Sequence, residues 1–305
     1  MAKDVKKVNF SSTNVRKINW RRAAIHLWLQ IMGRIAPHRT RESIIRRFFA
    51  PSAYAATPQE NQALKRGQRF LLRLHDKSIH GWQWGRGPQI LFVHGWNGRG
   101  IQFLPFFEPI MAAGYAVIAV DGPAHGDSMG RTTNYFEFTD MVRSVIAVRS
   151  GFDIRGLVAH SLGASAVINA LAHEDVTVDA VLIAPALRLK EILYNTSTRY
   201  GVPRWLFTSI LRRLEKRFGY CLDHDNPMQG AAKVRSRLLL IHDRDDTVTP
   251  LDDARELAEA HARIELCTTN GLGHRRILGD RAVVDGTLQF LIGEGHQPVA
   301  ALTSG

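Results

Sequence analysis

The chain has 305 residues, 45% of them hydrophobic and 9% aromatic, with two cysteines, Cys221 and Cys267, and a formal net charge of +12. Such a composition excludes wholesale disorder and fibrous classes, and two cysteines exclude a disulfide framework or a Cys-based zinc site. The positive excess is local: residues 1–50 hold 12 Lys/Arg against 2 Asp/Glu and residues 188–236 hold 10 against 4, whereas 51–187 balance at 11 against 11 and 237–305 hold 7 against 11.

At the N-terminus no apolar run approaches the length of a membrane span. Residues 23–32 follow Arg21-Arg22 but are interrupted by His26 and Gln30 and closed by Arg34, which makes a poor signal peptide. A cytoplasmic location, or one peripheral to the inner face of the membrane, is expected. Residues 15–35 fit an amphipathic helix, with Ile18, Ile25, Trp28, Leu29 and Met32 on one face and Arg16, Lys17, Arg21 and Arg22 largely elsewhere. Two readings stand side by side. The preferred one packs this helix on the body of the protein with a solvated basic face; the other lays it on an anionic membrane. Residues 50–59, with Pro51 and Pro58, read as a linker, so residues 1–60 form a basic arm and 61–305 a separate domain.

Within that domain, 69–74 and 79–84 read as a hairpin closed by the Gly85-Arg86-Gly87-Pro88 turn. Short apolar runs follow at 90–94, 116–121, 156–160, 180–184, 238–242 and 264–267, of the kind found in strands buried on both faces. Helical patterns near 101–113, 135–149, 162–173, 252–260 and 280–292 lie between and after them. This alternation predicts an α/β fold, a mainly parallel twisted sheet with helices on both faces. Residues 188–236 break it with a basic helical insertion. There, 204–218 places Phe207, Ile210, Leu211, Leu214 and Phe218 on one side and Arg212, Arg213, Lys216 and Arg217 opposite.

Chemistry concentrates just past the C-terminal ends of the predicted strands, where ligands bind in open α/β sheets. In Val158-Ala159-His160-Ser161-Leu162-Gly163-Ala164 an apolar strand runs into a serine and then a helix, with small residues two positions either side of Ser161. A plain helix-start serine would look similar in isolation. Upstream stands His94-Gly95-Trp96, and downstream stand Asp243-Arg244-Asp245-Asp246 and Gly271-Leu272-Gly273-His274. Together with the loop from Asp121 to Ser128, these motifs resemble the α/β-hydrolase superfamily over about 68–292, particularly bacterial serine hydrolases with a His-Gly-Trp oxyanion loop.

That resemblance implies an α/β-hydrolase fold with a helical cap insertion at 188–236. It also implies a Ser161–Asp246–His274 triad, with Asp245 in reserve as the acid, and an oxyanion hole from the backbone N–H groups of Trp96 and Leu162. Ester hydrolysis through an acyl-serine intermediate is expected, on a small-molecule ester, without cofactor or metal. Thioester hydrolysis or acyl transfer by the same triad, and a non-catalytic module on this scaffold, are the alternatives. Asp243, Ala159 and Ala124 stand where glycine is commoner in such proteins, and Asp243 adds negative charge near His274 that would raise its basicity. His94, His125 and His160 read as packed residues, and the Asp223-His224-Asp225 triplet reads as a solvated loop. No module for specific nucleic-acid reading accompanies the basic arm.

Overall fold

A computed structural model describes residues 20–147 and 151–293. Its strands are β1 (Gln68–Leu74), β2 (Lys77–Trp84), β3 (Gln89–Val93), β4 (Ala116–Val120), β5 (Ile154–His160), β6 (Ala180–Ile183), β7 (Leu238–Asp243) and β8 (Ile264–Thr269). They form one sheet in the order β1-β2-β4-β3-β5-β6-β7-β8. The hairpin strand β2 runs antiparallel to β1 and β4, and every other pairing is parallel. This is the α/β-hydrolase fold.

The apolar runs are strands because each residue finds a core on its own side. Leu91 and Val93 enter one hydrophobic cluster and Ile90 and Phe92 the other, as strand pleating requires. Phe92 is fully buried against Phe103, Phe106 and Phe107.

The N-terminal segment forms α1 (Trp20–Ile35) and α2 (Pro37–Phe48), followed by α3 (Pro58–Arg66). That third helix begins inside the stretch read as a linker. It is fixed by a capping box in which Thr57 and Glu60 satisfy each other's backbone N–H groups. Between strands lie α4 (Leu104–Ala112), α5 (Tyr135–Ile146) and α6 (Leu162–His173). The insertion folds into α7 (Leu189–Arg199), α8 (Arg204–Phe218) and α9 (Pro227–Gly230). The chain continues through α10 (Leu251–Ala260), the short α11 (Gly273–Arg276) and α12 (Arg281–Ile292).

The arm docks on the insertion rather than on the sheet. Gly33 sits so close to Trp205 and Leu206 that a Cβ there would meet the indole at 2.8 Å. Phe48 meets Phe207 edge-on at 4.9 Å, Trp205 Nε1 donates to Gln30 Oε1 at 2.8 Å, and His26 Nδ1 donates to the Gly201 carbonyl at 3.1 Å. The anticipated division of faces on α1 also differs. Leu29 and Gly33 are buried, but Ile25 and Trp28 are exposed beside them, and so are Trp20, Leu27, Ile31 and Ile35. The solvated side is therefore largely apolar, not simply basic. Ile18 and the rest of 15–19 lie outside the described residues. No helix among the described residues is long and apolar enough to cross a membrane.

Candidate active site

Ser161 occupies the junction of β5 and α6 with φ 53° and ψ −118°. A non-glycine residue there is strained, and the strain persists because the surroundings hold it. The Ser161 N–H donates to the Ile183 carbonyl of β6 at 3.0 Å. The first turn of α6 crosses the end of β3 so closely that a Cβ on Gly163 would lie 2.4 Å from the His94 carbonyl and 2.5 Å from that of Val93. This close approach is the reason for glycine two positions after the serine. Gly95 faces the same constraint from the other side, since a Cβ there would lie 2.8 Å from Ser161 Cβ.

The structure brings Ser161, His274 and Asp246 together. His274 Nε2 lies 3.0 Å from Ser161 Oγ, and its Nδ1 lies 2.7 Å from Asp246 Oδ2. The side chain of Asp246 is fully shielded from solvent. Burial alone would raise its pKa, but hydrogen bonds from His242, His274 and the Thr249 and Val248 backbone hold the carboxyl well below the usual range. Asp245 points elsewhere and accepts from the Gly271 N–H at 3.0 Å.

Asp243 has a different place from the one anticipated. Its buried carboxylate does not face the imidazole. Oδ1 accepts from the N–H groups of Asp245 and Gly273 at 3.0 and 2.9 Å; Oδ2 accepts from Thr269 Oγ1 and Leu272 N–H at 2.6 and 3.1 Å. Four hydrogen bonds outweigh the cost of burial and hold its pKa low. Asp243 thus ties the loop after β7 to the loop carrying His274. The adjacent register of β7 and β8, with Asp243 opposite Thr269, makes this possible.

Three buried histidines brace the neighbouring backbone as neutral rings. His94 donates through Nδ1 to the Gly95 carbonyl and accepts the Gly122 N–H at Nε2, both at 2.7 Å. His125 donates to the Pro123 carbonyl at 3.0 Å and accepts the Asn97 N–H at 3.1 Å. His160 donates to the carbonyl of His274 at 2.8 Å. Burial pushes His94 down to about 4 and His125 and His160 to about 3. They fix the backbone of residues 94–97 and of the His274 loop. Sequence reading had them packed but missed this bracing role, for which residue type alone carries no signal. Asp121 adds a further clamp, accepting from Gly100 N–H at 3.0 Å and Arg99 Nε at 2.8 Å.

Trp96 and Leu162 flank Ser161, and all three line a cavity of about 790 Å3. The N–H of Leu162 belongs to the first turn of α6, where no intrahelical acceptor exists. Much of the remaining lining comes from the arm and the insertion, including Trp28, Phe48 and Phe49 on one side and Leu189, Leu211 and Leu214 on the other, with Tyr135, Phe136 and Val248 added from the body. Its volume suits a small molecule, and its lining is mostly apolar. The linker reaches the site as well, since Ser52 N–H donates to Asn97 Oδ1 at 2.7 Å. Among the described residues, no group of three His, Cys, Asp or Glu side chains could hold a metal. Asp225 instead accepts from Cys221 N–H and meets His173 at 3.2 Å.

A model of the alpha/beta hydrolase family matches residues 90–286, which contain Ser161, Asp246 and His274. The chain belongs to that family. Among curated proteins, the uncharacterized protein YqkD of Bacillus subtilis is 26% identical over 179 residues. The match covers 56% of this hydrolase chain and 59% of YqkD, less than two thirds of that relative's length. Among solved structures, the esterase Pf2001 of Pyrococcus furiosus superposes with a TM-score of 0.56 at 20% identity, covering 75% of this chain and 91% of its own. Est1E of Butyrivibrio proteoclasticus, solved with ferulic acid bound, gives 0.57 at 17% identity over 74% of this chain and 100% of its own. At these identities both likenesses establish the fold.

Proposed function

We propose that this hydrolase cleaves a carboxylic ester of a small or medium hydrophobic substrate through an acyl-serine intermediate. The observation that carries this reading is the unbroken sequence of contacts from Asp246 through His274 to Ser161, opening onto the apolar cavity. Ser161 Oγ attacks the ester carbonyl while His274 Nε2 takes its proton. Asp246 orients the imidazole and stabilises its protonated form. The N–H groups of Trp96 and Leu162 receive the developing oxyanion, where a single donor is typically worth about 3 kcal/mol. His274 then protonates the departing alkoxide. It next takes a proton from water, which attacks the acyl-serine, and returns that proton to Ser161 Oγ as the acyl–oxygen bond breaks and the acid is released. The fold shared with two esterases supports the reaction class. It leaves the acyl group to be set by the cavity.

Labelling with a fluorophosphonate, followed by assay on p-nitrophenyl esters of increasing chain length, tests the reading. Wild type is expected to be labelled and active, and Ser161→Ala to be neither. An unlabelled, inert wild type, or equal labelling of both, overturns it. Preference for a thioester, or for an acyl acceptor other than water, would keep Ser161, His274 and Asp246 and change only the substrate.

A further inference from the structure

We propose that the outer face of α1 docks this protein on an anionic lipid surface, with the mouth of the cavity turned toward the lipid. Trp20 is 69% exposed, Leu27 62%, Trp28 54%, Ile31 48% and Ile35 72%. Their helical spacing puts all five within an arc of roughly 100°. The opposite side of the same helix carries Leu29 and Gly33, already committed to the insertion. A soluble protein rarely leaves such an apolar row uncovered. Here it runs along a helix without a single acid, flanked by the exposed Arg21 and Arg34.

Charge decides the occupant. No Asp or Glu occurs between Asp4 and Glu42, while 12 Lys/Arg lie within residues 1–50. A second copy seated on this face would bring two such arms together, like charge against like. Residues 1–19 of the same chain, with Lys3, Lys6, Lys7, Arg16 and Lys17, would meet the same repulsion. An anionic bilayer complements both properties, since it attracts the arginines and accepts Trp, Leu and Ile side chains at its interface.

The cavity connects this surface to Ser161. Trp28 belongs to the outer row and also lines the cavity, next to Ile25 and the exposed Tyr200. An ester released from the bilayer therefore meets apolar side chains continuously from the lipid to the serine. This delivery role rests on the proposed esterase reading; the docking itself does not.

Sedimentation of the full chain with vesicles tests the docking. One set is phosphatidylcholine alone, and the other contains phosphatidylcholine and phosphatidylglycerol in equal parts. Wild type is expected to bind the anionic vesicles and to be released by salt. The double variant Leu27→Glu/Ile31→Glu, neither of which lines the cavity, is expected to bind at least about tenfold more weakly. Its circular dichroism and its turnover of a soluble short-chain ester are expected to match wild type, while turnover of a vesicle-borne ester falls with binding. No binding by wild type, equal binding by the double variant, or equal binding to both vesicle types overturns the proposal. So does a concentration-dependent dimer that the double variant abolishes without any vesicle binding, or binding seen only after removal of residues 1–19. Vesicle binding without turnover of any ester retains the docking and overturns the esterase reading instead.

Discussion

Replacement of Asp243 by Asn is the sharpest probe of how the His274 loop is held. The carboxylate accepts four hydrogen bonds, two at each oxygen. An amide keeps one oxygen. If it replaces Oδ1, its N–H groups confront those of Asp245 and Gly273. If it replaces Oδ2, the Thr269 hydroxyl can rotate to accept, but the Leu272 N–H is left facing a donor. The smaller loss is therefore one charge-assisted hydrogen bond plus one poorly placed buried N–H, or about 2–4 kcal/mol. Urea unfolding at neutral pH reads that loss. A His274 loop released by even about 1 Å is expected to lower kcat on the order of 100-fold. KM is expected to stay near wild type, because Asp243 lines no cavity wall. The acid limb of the kcat/KM profile separates positioning from a field effect. A charge acting on the imidazole would move the midpoint of that limb and spare kcat, whereas a positioning residue lowers kcat and leaves the midpoint in place. Stability within about 1 kcal/mol of wild type together with an unchanged kcat would refute the reasoning.

Three further outcomes are expected. His94, His125 and His160 are neutral in the fold, with values of about 4, 3 and 3 against an ordinary 6.5. The unfolded chain binds protons first, so their contribution is complete above about pH 6.5 and is lost as pH falls toward 4 for His94 and toward 3 for His125 and His160. The loss by pH 5 amounts to about 2 kcal/mol per histidine, and an unfolding free energy equal at pH 7 and pH 5 would contradict it. Gly163→Ala forces a methyl against two carbonyl oxygens at 2.4 and 2.5 Å; thermal unfolding should show a cost of about 1–3 kcal/mol, with ester turnover falling as the start of α6 shifts. Phe207→Ala removes the ring that packs against both Phe48 and Phe49. A loss of about 3–5 kcal/mol is expected, along with faster proteolysis of the arm.

The sheet was legible because parallel strands are buried on both faces and read as unbroken apolar runs, as 90–93 and 116–120 do. The serine turn was legible because close approach of backbones demands small residues, and Gly163 meets the end of β3 at carbonyl distance. Contacts set by neighbours in the sheet leave no such trace in the sequence. Asp243 was read as a charge beside His274, whereas the pairing of β7 with β8 aims it at backbone N–H groups. Helix α3 was hidden by Pro51 before it and Pro58 at its first position, although Thr57 and Glu60 carried its capping signal. Helix α1 defeated a single-face reading because it has two apolar sides, one toward the insertion and the cavity and one toward solvent.

The candidate triad and most of the apolar lining stand on different parts of the chain, and this separation has a physical consequence. Ser161, Asp246 and His274 sit on turns at strand ends, braced by buried hydrogen bonds from neighbouring strands and loops. Most of the apolar lining comes from α1, α2, α7 and α8, two segments distant in sequence that meet at Phe48 and Phe207, and Trp96, Phe136, Leu162 and Val248 complete it from the body. Helices joined mainly by side-chain packing open at lower free energy than the strands of a core sheet. Motion of the arm against the insertion can therefore admit a substrate without disturbing the 2.7 and 3.0 Å contacts that the proposed chemistry requires. The charge follows the same division, since the positive excess lies in the arm and the insertion while the segments bearing the reacting groups carry none. On the proposed reading, location and access belong to the basic, two-part cover, and ester cleavage to the turns at the strand ends beneath it.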